Sequence, residues 1–218
     1  MEMAMTTMRP SPIFCPEMIA PIIDGRKTMT RRVFIPSEPP PQWAIRAVMN
    51  ANGTWVWWGQ NVSGSLAEWA WELNEKGPPH GDPGTVWYLR EALRCSESGM
   101  VVYRQDGCPA WLDGRESQTW TWKRDTLPAM FMPAWAARRW LRVEAVRVER
   151  LQDITERDAG AEGCHWHPSP TACTEASDVA VFRKLWDRLN GRRPGCAWKD
   201  NPWTWTYQFA PCPRPERL

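Results

Sequence analysis

Tryptophan is the residue that most constrains how this chain can fold. The 218-residue sequence contains 17 tryptophans, many of them two positions apart. The clusters lie at Trp55–Trp58, Trp69–Trp71, Trp120–Trp122 and Trp203–Trp205. Residues two apart share one face of a β-strand, so the spacing predicts strands with one tryptophan-bearing face. We interpret these side chains as core and sheet packing. The alternative is a set of platforms that stack bases, each stack being worth about 1 to 3 kcal/mol.

The remaining sequence alternates between helical and extended patterns. Apolar spacing predicts helices over 15–23 and 179–190, and Thr155 as N-cap with Asp158 in an acidic first turn predicts a helix over 153–163. Alternation or β-branched residues predict strands over 28–33, 100–103, 140–150 and 201–210, and a turn within 81–92 feeds a strand that ends on Arg90 and Glu91. The terminal strand is expected to be half-buried, and a phase slip near Glu144 and Ala145 suggests a β-bulge. Helices and strands interleave without a βαβ rhythm. This order predicts an α+β fold with a small curved antiparallel or mixed sheet.

The length and the proline distribution predict one domain over 1–218 with irregular insertions. Proline-rich stretches mark inserted regions at about 37–80 and 104–128. In the first insertion, Asn52-Gly53 predicts a hairpin turn, and residues 65–75 are expected to form a short helix. We expect these insertions to be long connections around a compact centre.

Charge and composition limit the functional classes. The formal net charge is only +2, so any nucleic-acid contact must come from a local basic cluster. No signal peptide and no apolar stretch of about 20 residues is visible, which predicts a cytoplasmic protein without membrane contact. Seven cysteines without paired spacing indicate free thiols in a reducing compartment.

A basic corner lies between Asp24 and Arg32, in the sequence DGRKTMTRR. Gly25 is expected to end the preceding helix, so the corner joins a helix to a strand. Four cations and two threonine hydroxyls in nine residues suit binding of a phosphate or a polarised carbonyl. The alternative is a solvated charged turn.

A metal site is a weaker possibility. Thiols and imidazoles that could bind zinc occur close together in one segment: Cys164, His165, His167 and Cys173. Their spacing fits no common zinc signature, so we expect no bound metal and no cofactor. The sequence also has no P-loop, no dinucleotide-binding glycine turn and no Gly-x-Ser-x-Gly elbow.

Five segments in order resemble the ASCH family, a group of PUA-like β-barrel proteins, and in particular its long members from phage and prophage genomes. They are DGRKTMTRRV (24–33), GDPGTVWYLRE (81–91), MPAWAARRWLRVEAVRVERLQDITERDAGAEG (132–163), FRKLWDRLNG (182–191) and NPWTWTYQF (201–209). The resemblance covers about half of the chain. It implies a small β-barrel with flanking helices, here elaborated by Pro/Trp-rich insertions.

The resemblance also implies a function connected with nucleosides or nucleic acids. Some ASCH proteins are amidohydrolases that remove an acetyl group from the exocyclic amine of cytidine, and others are reported ribonucleases. The expected function is therefore hydrolysis of an acyl group on a modified cytosine-type base. The alternatives are a non-catalytic reader of RNA or modified DNA, and a ribonuclease. RNA is expected rather than DNA, and the oligomeric state is left open.

The catalytic set of the amidohydrolase members falls on Lys27, Thr30 and Glu162. Lys27 would act as the base and Thr30 as the nucleophile, or Thr30 would position a water; Glu162 would carry a proton to the leaving amine. Positions three apart face opposite sides of a strand, so Lys27 is expected in the turn. The expected substrate-binding residues are Arg26, Arg31, Arg32, Arg90 and Glu91. For Arg90 and Glu91, an ordinary ion pair is the alternative.

Overall fold

The computed structural model describes residues 7–37, 40, 44–50, 52–60, 66–72, 77–110, 118–165 and 177–215. Its strands are β1 Met8–Pro10, β2 Met29–Phe34, β3 Ala44–Met49, β4 Trp55–Gln60, β5 Leu66–Glu72, β6 Val86–Tyr88, β7 Leu93–Cys95, β8 Val101–Tyr103, β9 Thr126–Leu127, β10 Trp140–Arg150 and β11 Trp203–Cys212. Its α-helices are α1 Pro16–Ile23, α2 Glu156–Ala161 and α3 Asp178–Asn190. The chain is thus α+β and mostly sheet, as predicted.

The chain forms two compact units, each assembled from separate stretches of sequence. Unit 1 contains the described parts of Met1–Gly25, His80–Val143 and Phe209–Leu218, and unit 2 contains those of Arg26–Pro79 and Glu144–Gln208. Neither unit is a continuous stretch of sequence, so the division does not follow the boundaries of the predicted insertions.

Unit 1 combines short strands with helix α1. Strand β1 pairs in parallel with β6, and β6 pairs antiparallel with the first residues of β10. A separate three-stranded sheet has the order β8-β7-β9. Fully buried side chains of this unit include Val86, Trp87, Leu89, Leu93 and Val101.

Unit 2 contains the longer pairings. Strand β11 runs antiparallel to β2, with Trp203 opposite Phe34 and Gln208 opposite Met29. Strands β3, β4 and β5 form an antiparallel meander, and the end of β10 pairs with β3. Helices α2 and α3 contribute to one apolar cluster that contains Leu151, Ile154, Ala159, Phe182 and Trp186.

Most of the predicted elements are confirmed. All three helices are present, and Thr155 caps α2 as its sequence indicated, because its hydroxyl accepts a hydrogen bond from the Asp158 amide at 3.1 Å. Gly25 follows α1 with a φ of 73°, a left-handed conformation that favours glycine. The hairpin predicted at Asn52-Gly53 joins β3 to β4.

The helix predicted over 65–75 is wrong, because residues Leu66–Glu72 form strand β5. Alanine, leucine and glutamate favour a helix in isolation. The segment nevertheless pairs with β4, with Glu72 opposite Val56 and Trp71 opposite Trp57. Tertiary pairing and the two-residue spacing of Trp69 and Trp71 outweigh that helical propensity. Ser65 and residues 73–75 lie outside the described part of the chain.

Two strand predictions need correction. The strand expected to end on Arg90 and Glu91 is β6, which ends at Tyr88, so both residues follow the strand instead of closing it. Strand β11 was expected to be half-buried, yet Thr204 and Thr206 are 0% and 1% exposed. Burial of both hydroxyls is tolerated because Thr204 donates to the carbonyl oxygen of Glu149 and Thr206 donates to its carboxylate.

Strand β10 is continuous through the predicted phase slip. Leu141 and Val143 are buried in its first half, and Val148 is buried in its second half. The first half pairs with β6 through Trp140–Arg142, whereas Val148 and Glu149 pair with β3. The change of buried face therefore accompanies a change of partner strand, and the predicted β-bulge stays a prediction.

The described tryptophans are largely packing residues, as interpreted from their spacing. Trp205 is 2% exposed and lies 5.0 Å from Phe34 and 4.8 Å from Trp55 between ring centroids. Trp57 lies 4.8 Å from Trp203 in the same unit. Edge-to-face and tilted contacts of this kind stabilise a core beyond simple area burial.

The cysteines of the described residues are all free thiols, in agreement with the prediction. A search of the described helices finds none that is long and apolar enough to cross a membrane.

Thr155→Ala should lower the free energy of unfolding by about 1 kcal/mol, because the exposed amide of Asp158 loses its cap. Thr155→Ser keeps the hydroxyl and should remain within a few tenths of a kcal/mol of the wild type. Urea unfolding followed by circular dichroism measures both values. Equal destabilisation by alanine and serine would contradict the capping role.

Candidate functional site

Two of the three predicted catalytic residues are in direct contact in unit 2. The Nζ atom of Lys27 lies 2.6 Å from Oε2 of Glu162 and donates to the Glu162 carbonyl oxygen at 2.9 Å. The contact joins residues 135 positions apart in the sequence. Lys27 is 1% exposed and Glu162 is 4% exposed, so this ion pair is removed from solvent.

Local backbone pairing places these two side chains together. Lys27 and Glu162 form an isolated antiparallel bridge, and the Thr28 amide donates to the Ala161 carbonyl at 2.8 Å. Glu162 is the C-terminal cap of α2, where the helix has ended but its last carbonyls still accept bonds. Lys27 lies between the turn at Asp24 and Gly25 and the start of β2, so it is outside the strand but is a bridge residue and not part of the turn in which it was predicted.

Arg31 extends this pair into a larger cluster. Its Nη2 lies 2.6 Å from Glu149 and 3.1 Å from Asp158, and its Nη1 lies 3.4 Å from Glu162. Arg147 binds the same two outer carboxylates, Glu149 at 2.6 Å and Asp158 at 3.3 Å. We call these six residues the buried ion network: Lys27, Arg31, Arg147, Glu149, Asp158 and Glu162.

The buried ion network is electrically balanced. Three basic side chains face three carboxylates, so no excess positive charge remains for a phosphate. Burial alone lowers the pKa of Arg147, but hydrogen bonds to Glu149 and the charges of Glu149 and Asp158 outweigh it and raise the pKa. Arg31, whose side chain is 0% exposed, is held by three acceptors. Its predicted role as a substrate contact would require it to leave those carboxylates.

Thr30 lies apart from these hydrogen bonds. It stands opposite Tyr207 in the β2–β11 pairing and is 3% exposed. Successive side chains of a strand face opposite sides, so Thr30 points away from the face that carries Arg31. Within the described part of the chain, the Thr30 hydroxyl makes no hydrogen bond to Lys27 or Glu162. The structure therefore joins Lys27 to Glu162 without placing Thr30 in the same ion network.

The other predicted cations differ in their surroundings. Arg26 is exposed beside Lys27, and Arg32 is half-buried opposite Trp205 on β11. Arg32 shares the strand face of Thr30, because the two are two residues apart. These two arginines stay predicted substrate contacts.

Arg90 and Glu91 belong to unit 1, whereas Lys27, Thr30 and Glu162 belong to unit 2. Glu91 is 3% exposed and accepts two hydrogen bonds from Arg138, at 2.8 and 2.6 Å. Arg90 donates to the Ser11 carbonyl oxygen. Burial lowers the pKa of the Arg90 guanidinium.

Arg90 and Glu91 line a cavity of about 490 Å³ together with Phe14, Ile19 and Arg104. The expected ion pair at this position thus exists, but its basic member is Arg138 and not Arg90. Fork-to-fork pairing with Arg138 holds the Glu91 carboxylate in one orientation at the edge of the cavity.

The possible zinc ligands of the segment 164–173 form no metal site among the described residues. His167 and Cys173 lie outside the described part of the chain, and no group of three or more possible metal ligands occurs within it. Cys164 is 3% exposed, and burial together with the nearby Glu162 carboxylate raises the pKa of its thiol to about 12. His165 lies 3.6 Å from Asp178.

Sequence reasoning missed half of the buried ion network. Asp158 was considered only for its place in the first turn of α2, and Arg147 and Glu149 were considered only as members of a strand. One signal was available, because Arg147 and Glu149 are two apart on one strand face next to a helix rich in carboxylates. What the sequence did not provide was the pairing that brings β2 against them.

Comparisons with known proteins add no relative, since no protein-family model, no curated protein and no solved structure matches this chain.

Glu162→Leu should lower the free energy of unfolding by about 3 to 5 kcal/mol, because Lys27 then remains buried without its carboxylate. The double variant Lys27→Met/Glu162→Leu removes both charges and should recover most of that loss. Urea unfolding of the single variants, the double variant and the wild type gives the coupling energy.

Arg157→Gln, on the exposed side of α2, is the matched control and should stay within about 0.5 kcal/mol of the wild type. Additive losses in the double variant would contradict direct coupling between Lys27 and Glu162.

Cys164 should resist alkylation by iodoacetamide at pH 8, whereas the exposed Cys108 should react, because only the thiolate is nucleophilic. The folded state holds the Cys164 proton more tightly than the unfolded state. Its contribution to stability is therefore present at neutral pH and falls as the pH rises from about 9 to about 12. Peptide mapping by mass spectrometry after timed alkylation measures the reactivity, and equal rates for the two thiols at pH 8 would contradict the assignment.

Proposed function

We propose that this chain is a cytoplasmic ASCH-type protein with a PUA-like barrel, and that it hydrolyses an acyl group on the exocyclic amine of a modified cytosine-type base. The substrate is a nucleoside or a nucleotide within nucleic acid, with RNA favoured over DNA. Unit 2 carries the reaction centre, with Lys27 and Glu162 as its proton-transfer pair.

One observation carries this proposal: the contact of 2.6 Å between Lys27 and Glu162. The resemblance to ASCH amidohydrolases pairs these two residues without reference to any structure, although 135 positions separate them. A lysine and a glutamate at that separation have no local reason to meet. The hydrolase proposal requires these two side chains to meet. They do so in a buried contact between the residues before β2 and the end of α2.

The proposed reaction breaks one amide bond and consumes one water. Water adds to the acyl carbonyl and gives up a proton to the Lys27–Glu162 pair, and the same pair returns a proton to the exocyclic nitrogen as the C–N bond breaks. The products are the free cytosine-type base and a carboxylate. A short Nζ–Oε2 contact suits this role, because a proton can pass between the two groups without a further carrier.

Water is preferred to Thr30 as the nucleophile in this scheme. A threonine oxygen needs a base within hydrogen-bond reach, and Thr30 lies on the strand face opposite Arg31 and outside the buried ion network. Thr30 and Arg32 share that opposite face, so the scheme gives neither of them a contact with the reacting carbonyl. Arg26, exposed beside Lys27, would contact the phosphate of a nucleotide substrate.

The near-complete burial of the pair adds a requirement. Lys27 and Glu162 are 1% and 4% exposed, so the substrate reaches them only when neighbouring side chains open. Exclusion of water from the closed pair strengthens its electrostatic interactions. Turnover is then expected to depend on a local opening step.

Wild-type protein should release acetate from N4-acetylcytidine, and Lys27→Met/Glu162→Leu should release none. The double variant is the informative one, because it replaces the ion pair with apolar side chains that preserve packing. Liquid chromatography with mass spectrometry of substrate and cytidine measures turnover, and circular dichroism confirms that each variant is folded.

Arg157→Gln serves as the folded control and should turn over like the wild type, since Arg157 is exposed on α2. Equal activity of the wild type and the folded double variant would show that the Lys27–Glu162 pair is not catalytic. Salt-dependent binding of oligonucleotides by a wild type that releases no acetate would instead favour the reader.

A further inference from the structure

Unit 1 contains a second cavity, which the proposed function does not use. Its volume is about 490 Å³, and it lies where the end of α1, the start of β10 and the end of β11 contribute side chains. Pockets that hold small molecules have volumes of about 300 to 1,000 Å³. The space is therefore large enough for a ligand of nucleotide size.

The charges around this cavity are of one sign. It is lined by Arg138, Arg139 and Arg214, and none of the described residues lining it is acidic. Arg138 is already neutralised, because its guanidinium lies 2.6 Å from Glu91 and 2.8 Å from Asp106. Arg139 and Arg214 are the other two basic side chains of the lining.

Arg139 also has a buried hydrogen-bond donor that lacks an acceptor within the described part of the chain. Its Nε atom is buried and has no hydrogen-bond acceptor among the described residues. An unsatisfied buried donor costs about 1 to 3 kcal/mol, and native proteins retain few of them. An acceptor supplied by a ligand would satisfy this N–H.

The apolar part of the cavity limits what that ligand can be. Ile23, Pro211 and Pro213 line it and are accessible, whereas Ile22 and Trp140 also line it but are only 2% and 5% exposed. The Arg214 guanidinium lies 5.9 Å from the centroid of the Trp140 ring. A small inorganic anion would use the arginines but leave this apolar surface uncovered.

We propose that this cavity binds a small phosphate-bearing ligand with an apolar or aromatic body, of the size of a nucleoside monophosphate. The phosphate accepts hydrogen bonds from Arg139 and Arg214, whose planar forks match its oxygens. The body of the ligand packs against Ile23, Pro211 and Pro213. This site lies wholly in unit 1 and does not depend on the hydrolase proposal.

Isothermal titration calorimetry with adenosine 5′-monophosphate tests the proposal, with adenosine and inorganic phosphate as partial ligands. The monophosphate should bind with an affinity that falls as salt rises, and each partial ligand should bind at least about tenfold more weakly. Arg139→Gln should weaken binding of the monophosphate about tenfold or more. Arg139→Lys, which keeps the charge but loses the fork, should fall between glutamine and wild type.

Arg124→Gln is the control, because Arg124 is an exposed arginine of unit 1 that does not line the cavity; it should stay within about twofold of the wild type. If Arg139→Gln fails to fold, Arg214→Gln gives the same test from the other end of the cavity. Equal affinity of adenosine and its monophosphate, or unchanged affinity in a folded Arg139→Gln, would overturn the proposal. Adenosine monophosphate has no acyl group and no cytosine-type base, so a failed acetate assay leaves this result intact.

Discussion

The charge of Arg31, buried without contact with solvent, is the constraint on which unit 2 depends. A guanidinium in that position is tolerated only when carboxylates surround it, and Glu149, Asp158 and Glu162 do so. Those acceptors belong to β10, to α2 and to the residue that caps α2. The ion pairs of Arg31 therefore hold β2 against both β10 and α2. Lys27 and Arg147 then complete a balance of three basic side chains and three carboxylates.

The same groups that hold unit 2 together are those proposed to move a proton. Lys27 and Glu162 would gain or lose a proton during turnover, and the fold also requires their charges. Activity is therefore coupled to stability. Glu162 is suited to this double role because Lys27 holds it at 2.6 Å while Arg31 is more distant, at 3.4 Å. A transient change of charge at Glu162 leaves Arg31 with two other carboxylates.

Local patterns predicted much of this structure, and long-range pairing accounts for most of what they missed. The cap at Thr155, the helix α3 and the strand β11 follow from residues close in sequence, and all three are present. Residues 66–72 form a strand because β4 pairs with them. The hydroxyls of Thr204 and Thr206 on β11 can be buried because Glu149 accepts a hydrogen bond from each. At the candidate site, the resemblance supplied Lys27 and Glu162, whereas Arg147, Glu149 and Asp158 required knowledge of which strands meet. A carboxylate on a strand looks the same in the sequence whether it faces solvent or a buried arginine.

The interleaving of the two units has a consequence for how the protein is made. Unit 1 takes its first residues from before Gly25 and its last from after Gln208, where Phe209 packs 5.6 Å from Trp87 and 6.2 Å from Phe14 between ring centroids. During synthesis on the ribosome, Phe14 and Trp87 are translated before the stretch Glu144–Gln208 of unit 2, and Phe209 is translated only after it. Unit 1 therefore cannot complete its core until unit 2 has been fully synthesised, so the side chains of Phe14 and Trp87 lack this packing partner while residues 144–208 emerge.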